Sequence, residues 1–368
     1  MARGWSSSLI TNNLCKEIME NDIIEKAEKK LEQVQHSNIR TIKESIPRLR
    51  EIVHMLRSVK GERSLEIQCR SLEMLIFLGL IVGDAEQVFE PIFALRQKVK
   101  AHQLEDREGR LAQLLAESLP FLVEIPGFDE TDLEEILAEI NAKRKQDRET
   151  DRMLDAFLLE AYILLGNERK AEALRQELRK SRDLIYEVEC ESCGPALQTR
   201  VYVHLGDIDE ALRISEPLFD GRMPQCMRSP RIPASALLDY YLTQDNLEEA
   251  HRFAEELEAT IDYPIDGGVK LANPLLEYYV RTGDYLEALE WVNFFGKRML
   301  RSPLRIQRRR FFRSADMLVQ GLMGEGWTHL EPRDIKFPIP VELSTEGYQL
   351  TAVSTFFHQQ ITPGQAGR

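Results

Sequence analysis

Long apolar runs are missing from this chain: none approaches the roughly 20 consecutive apolar residues that a bilayer-spanning helix needs. Residues 1–10, which include Arg3, hold no apolar stretch long enough for a secretory leader. Cysteine is scarce, with five in 368 residues, an odd and scattered set unlike a secreted disulfide framework. A cytoplasmic protein is expected. A basic excess is missing too: 48 Lys plus Arg face 61 Asp plus Glu, a formal net charge of −13, which argues against bulk nucleic-acid binding. Phosphate-binding glycine loops, G-x-S-x-G, H-E-x-x-H and dinucleotide glycine patterns do not occur. The "DGGVK" stretch at 266–270 has too few glycines, and the seven histidines are dispersed without ligand spacing. No cofactor, no metal and no enzymatic activity are assigned.

What is present is helical periodicity, on a composition that is globular rather than disordered (43% hydrophobic, 30% charged). Residues 15–60 predict two helices. Ile23, Ala27, Leu31 and Val34 line one face of the first, and Ile42, Ile46, Leu49 and Val53 one face of the second. Pro47 is expected to kink or start a helix.

The decisive pattern emerges when the chain is aligned with itself. AYILLGNERKA (161–171), VYVHLGDIDEA (201–211), YYLTQDNLEEA (240–250) and YYVRTGDYLEA (278–288) align without gaps. Tyr162, Tyr202, Tyr241 and Tyr279 recur 40, 39 and 38 residues apart, and Ala171, Ala211, Ala250 and Ala288 each follow nine residues later. Each segment predicts a helix, a tight turn and a second helix. Gly166, Gly206 and Gly283 suit the left-handed turn position. Asn167, Asp207, Asn246 and Asp284 suit the N-cap, and Glu210, Glu249 and Glu287 three residues on predict reciprocal capping boxes. The alanines let paired helices approach, with the tyrosines packed beside them.

An earlier copy lies at Leu72–Arg96, where Gly83, Asp84 and Gln87 repeat the turn, Val88 takes the Ala place and Gly79 the Tyr place. A degenerate unit is expected at 108–140, its second helix starting between Asp132 and Ile136. Five or six helical pairs then fill 65–300. Gly324, Gly326, Pro332, Pro338, Pro340 and Gly347 break any long helix beyond, "KFPIPVEL" predicts extended chain, and a short helix is expected at Leu350–Gln360.

The spacing of Tyr, Gly and Ala resembles the tetratricopeptide repeat over about four units. It departs in its period, near 39 rather than 34, and in lacking the early aromatic and Gly of the first helix. Residues 180–300 are also similar to a group of bacterial tetratricopeptide-like proteins of unassigned role, through Arg182-Asp183, Cys190-x-x-Cys193, the "EPLFDGRMPQC" stretch ending at Cys226, and "TGDYLEALE". The resemblance implies an all-α fold, a right-handed α-solenoid of stacked helical hairpins with a short irregular C-terminal cap. The expected division is 1–64, an N-terminal helical pair; 65–325, the solenoid; 326–361, the cap; and 362–368, a loose tail. The bacterial likeness implies a bacterial origin and supplies no activity; the repeat register and the lack of catalytic patterns lead to the expectation of a non-enzymatic scaffold or regulatory adaptor that binds a protein or peptide.

Three residue sets are candidates for contact. Between Glu290 and Asp316 the chain holds Lys297, Arg298, Arg301, Arg305, Arg308, Arg309, Arg310 and Arg313 with no acid, a pattern suited to an acidic partner or, alternatively, to nucleic acid or a phosphate ligand. Phe311 and Phe312 within it could stack on a base or simply form a core stripe with Ala315 and Leu318. Tyr240 and Tyr278, each beside a repeat tyrosine, could face a partner or pack between units like their neighbours. Cys190, Cys193 and Cys226 precede successive units and could converge, offering three of the four ligands a structural zinc needs. The nearest histidine, His204, lies about 16 Å along a helix from Cys193, so these cysteines are taken as structural, with zinc binding, a disulfide, redox sensing and reduced thiols all open.

Overall fold

The computed structural model describes residues 6–35, 42–82, 85–144, 148–180, 190–226, 229–260 and 269–361. Among them the chain is all-α apart from three very short strands. It divides into two compact units, one formed by residues 1–80 and 86–114, the other by 81–85 and 115–368. The expected glycine–aspartate turn at 83–84, the Arg182-Asp183 pair and the tail at 362–368 lie outside the described residues.

The first unit contains α1 (Ser6–Gln35), α2 (Ile42–Met55), most of α3 (Glu62–Val82), α4 (Ala85–His102) and the start of α5 (Glu105–Leu122). Ile24, Ala27, Leu31 and Val34 of α1 pack with Leu49, Ile52 and Leu56 of α2 and with Ile67 and Leu75 of α3 in one core. Pro47 lies inside α2 rather than at its start. This core takes in part of α3. At Gly79 a methyl group would lie 2.7 Å from Gln87 Cβ and 3.0 Å from Val88 Cγ2. A small residue at the Tyr place therefore accommodates the larger Val88 at the Ala place. Arg107 of α5 bridges Glu66 and Glu73 of α3.

The second unit holds the rest of α5 and then α6 (Glu130–Arg144), α7 (Arg148–Leu164), α8 (Glu168–Lys180), α9 (Cys193–Leu205), α10 (Ile208–Phe219), α11 (Arg231–Thr243), α12 (Leu247–Glu258), α13 (Val269–Thr282), α14 (Tyr285–Arg301) and α15 (Arg305–Gly324). The degenerate unit is capped earlier than expected. Asp129 Oδ1 accepts the amides of Thr131 and Asp132, so α6 begins at Glu130. Four pairs, α7–α8, α9–α10, α11–α12 and α13–α14, pack as hairpins, and first helices pack on first helices in the order α7, α9, α11, α13, α15.

The four turns share one set of hydrogen bonds. The amides of Asn167, Asp207, Asn246 and Asp284 each donate to the carbonyl of the repeat tyrosine five residues earlier, at 2.9 Å in all four. The amides of Ala171, Ala211, Ala250 and Ala288 donate to the carbonyls of those same caps at 3.0 to 3.1 Å. Gly166, Gly206 and Gly283 hold φ of 70°, 76° and 80°, and Asp245 takes the same left-handed position at 56°. The cap side chains accept the amides of Lys170, Glu210, Glu249 and Glu287. The reciprocal half of the expected capping box is absent, because the tyrosine carbonyl already takes the cap amide; Glu210 instead pairs with Arg213. All four alanines are fully buried, which is what close approach of paired helices requires.

The row curves back on itself within this unit. The end of α5 and the residues after it touch helices 150 to 180 positions later: Lys270 Nζ donates to the Pro120 carbonyl and sits 4.2 Å from the Phe121 ring centroid. Glu124, fully buried, accepts the amides of Ile306 and Gln307 at 3.0 and 3.1 Å. It thereby caps α15, whose own N-cap residue Leu304 supplies no side-chain bond.

Beyond α15, β1 (His329–Leu330), β2 (Leu343–Ser344) and β3 (Gly347–Gln349) form an antiparallel sheet in the order β1-β3-β2, followed by α16 (Leu350–Ile361). Phe337, Ile339, Val353, Phe356 and Phe357 join the main core. Gly296 of α14 makes room for the Phe337 ring, which would lie 2.5 Å from an added methyl. Asn293 donates to the Asp334 carbonyl and accepts the Lys336 amide, holding the extended segment on α14.

Candidate functional site

The arginine run spans the end of α14 and the first half of α15, and the structure sorts it into two kinds. Arg310 is tied down: it bridges Asp239 of α11 and Glu277 of α13, the latter at 2.8 Å. Burial opposes its charge, but those two carboxylates hold its pKa above the ordinary arginine value. Arg308 reaches only the amide oxygen of Gln360 and has no carboxylate partner among the described residues, so burial pushes its pKa down. Arg305, Arg309 and Arg313 stand four residues apart on α15, a straight stripe rising about 6 Å per step. Arg305 and Arg313 are exposed and Arg309 is half-buried. Arg305 donates through Nε to the Glu124 carbonyl. Arg301, Arg309 and Arg313 make no ion pair among the described residues. Met317, 40% exposed, extends the stripe by one more turn. Arg298 is half-buried at the end of α14. Phe311 and Phe312 are buried in the core, which removes them as base-stacking platforms.

The tyrosines divide in their exposure. Tyr278 and Tyr279 are both buried, and the Tyr278 hydroxyl lies 2.7 Å from His251 Nδ1. Tyr240 is half-buried, edge-on to Tyr241. Of the two flanking tyrosines, Tyr240 alone keeps appreciable exposure.

A charged ladder crosses the first helices, and the tyrosine register places it. Glu160, Arg200, Asp239 and Glu277 each stand two residues before the repeat tyrosine, so they occupy one position on α7, α9, α11 and α13. Glu160 is paired with Arg200 at 3.2 Å and Lys270 at 3.3 Å. Burial would raise the Glu160 pKa, but the two cations bring it down to about 2. His204, one turn beyond Arg200, is half-buried, and desolvation lowers its pKa; its Nε2 has no partner among the described residues, and it lines a small cavity with Ala156, Phe157, Leu197, Arg200 and Val201. These charges largely compensate one another, which makes the ladder an internal network. The sequence carried its signal, since the aligned segments need only be extended by one or two residues to include it. The roles of Glu124 and Lys270 had no local signal, because their partners are far away in sequence.

Cys190, Cys193 and Cys226 do converge: their sulfurs all lie within 4.8 Å of one another, and Cys193 Sγ is 3.5 Å from Cys226 Sγ. Cys193 opens α9, while Cys190 lies in the turn before it and Cys226 in the loop between α10 and α11. Among the described residues no helix is long and apolar enough to cross a membrane. Comparison of the chain with family models, with curated proteins and with solved structures finds no match in any of the three, so the likeness to tetratricopeptide repeats rests on the chain's own hairpin register and no relative supports the bacterial group.

Proposed function

We propose that the hairpins form a right-handed, tetratricopeptide-like solenoid with a period near 39, and that the chain is a non-enzymatic scaffold or regulatory adaptor. Its ligand is an acidic segment of a protein partner, taken up along α15. The observation that carries this reading is the stripe of Arg305, Arg309 and Arg313, beside a half-buried Arg308 that no carboxylate neutralises among the described residues. In a chain of net charge −13, cations left over after Arg310 has been paired are the exception. Like charges four residues apart on a helix cost about 0.2–0.5 kcal/mol per pair, so the stripe opposes folding of the helix that carries it. Guanidinium groups bind carboxylates in a bidentate fork, and Met317 at the end of the stripe offers an adaptable apolar contact.

A displayed library of random peptides, panned on the full chain, tests this. Enriched peptides rich in Asp and Glu, whose binding falls about tenfold for each of Arg309→Glu and Arg313→Glu, support the proposal. The alternative is nucleic-acid or phosphate binding through the same segment 297–313. A fluorescent single-stranded oligonucleotide that binds more tightly than any selected peptide, with affinity falling steeply as salt rises, would favour that alternative.

A further inference from the structure

The three converging cysteines belong to neither the charged ladder nor the arginine stripe. Each comes from the start of a hairpin: Cys190 and Cys193 lead into α9–α10, and Cys226 leads into α11–α12. The turns that carry them are closed by backbone bonds. The Cys193 amide donates to the Cys190 carbonyl at 3.1 Å, and Cys226 and Ser229 exchange two bonds at 3.2 Å. Ser192, between the two leading cysteines, is buried and donates to the Pro224 carbonyl, which locks one loop against the other. The sulfurs are thus brought together by backbone geometry.

Their spacing matches metal coordination. A tetrahedral ion with metal–sulfur bonds of about 2.3 Å separates its thiolates by about 3.8 Å. The observed separations, 3.5 Å for one pair and at most 4.8 Å for the others, bracket that value. Covalent pairing would instead require a sulfur–sulfur bond of about 2.05 Å between two cysteines and would leave the third thiol over. All three residues are only half-buried, which leaves a path for an ion, and Cys193 sits at the first position of α9.

We infer that Cys190, Cys193 and Cys226 form a three-thiolate site for a thiophilic divalent cation of the zinc class, with one coordination position left for an exogenous ligand. The ion ties the start of one hairpin to the start of the next. Binding releases the thiol protons and leaves each sulfur as a two-electron donor, with no change of oxidation state. The inference stands apart from the proposed partner site, since a chain that binds no peptide could still bind the ion.

The test uses the full chain, reduced and stripped with a chelator, titrated with Co²⁺ as optical probe and Zn²⁺ as competitor. The expected result is sulfur-to-cobalt charge-transfer absorption that saturates at one equivalent and is displaced by zinc. Cys190→Ser, Cys193→Ser and Cys226→Ser should each weaken uptake by about a hundredfold or more, while Cys69→Ser, a buried thiol of the other unit, leaves it intact. Circular dichroism confirms that each variant is folded. As a check on the wild-type protein, zinc should protect these three cysteines together from iodoacetamide, read by mass spectrometry. Absence of the charge-transfer band, cobalt uptake that survives Cys226→Ser, or a Cys193–Cys226 disulfide that re-forms in the presence of zinc would overturn it.

Discussion

Replacing Glu160 by Gln removes the carboxylate paired with both Arg200 and Lys270, and its effect can be worked out from the geometry. The Glu160 carboxyl is 11% exposed and its pKa falls from 4.5 to about 2. At 1.36 kcal/mol per pH unit that displacement corresponds to about 3 kcal/mol of stability. The independent expectation for breaking a buried ion pair from one side is about 3–5 kcal/mol, so the two agree in size. The sign follows from linkage: a folded-state pKa below the unfolded value stabilises the fold above pH 4.5, and that contribution is lost as pH falls toward 2. Urea unfolding followed through Trp291, which is fully buried in α14, reports on this unit; Trp5→Phe and Trp327→Phe remove the other two indoles. Glu160→Gln is expected to be less stable by about 3 kcal/mol at pH 7, with the gap shrinking to less than half by about pH 3. A gap near zero at pH 7, or one that stays constant or widens on acidification, would refute the reasoning.

Outcomes at three further positions are expected from denaturant midpoints. Gly283→Ala forces an L residue to φ 80° where nothing lies within 4 Å of the new methyl, so its cost of about 1 kcal/mol is conformational and not steric. Asp245→Gly relieves the same strain at φ 56° and loses only an exposed pair with Arg281, so it should unfold no more easily than the parent chain. Glu124→Ala leaves the start of α15 uncapped and should cost about 1–2 kcal/mol, whereas Glu124→Gln keeps acceptors for the Ile306 and Gln307 amides and should cost less. Burial raises the Glu124 pKa, so its contribution is complete below pH 4.5 and declines as pH rises, opposite in sense to Glu160.

The hairpins were legible because their determinants are local. A tyrosine, a left-handed turn residue, an Asn or Asp cap and a small alanine act within ten residues, and the structure uses each as its chemistry suggests. Asp245 shows the limit of that reading: it has no glycine's freedom, yet the cap and tyrosine bonds around it impose the same turn. The capping boxes failed for a related reason, since one backbone amide cannot serve both the tyrosine carbonyl and a glutamate. The return of Glu124 to α15 and of Phe121 to Lys270 was invisible, because periodicity says nothing about which distant helix a loop will reach. The small strands were missed because two- or three-residue pairings leave no alternating pattern to find. Within the arginine run, composition could not separate Arg310, which is committed to Asp239 and Glu277, from Arg309 and Arg313.

The claim on which the functional account turns is that partner carboxylates meet α15. A peptide selected from the library, carrying a photoreactive group beside its acidic residues, can be crosslinked to the full chain and the adducts mapped by mass spectrometry. Adducts concentrated between Arg305 and Met317, and lost in the Arg309→Glu, Arg313→Glu double variant, are the expected result. Adducts centred on α7 and α9 around Arg200 and His204, or unchanged in the double variant, would contradict it.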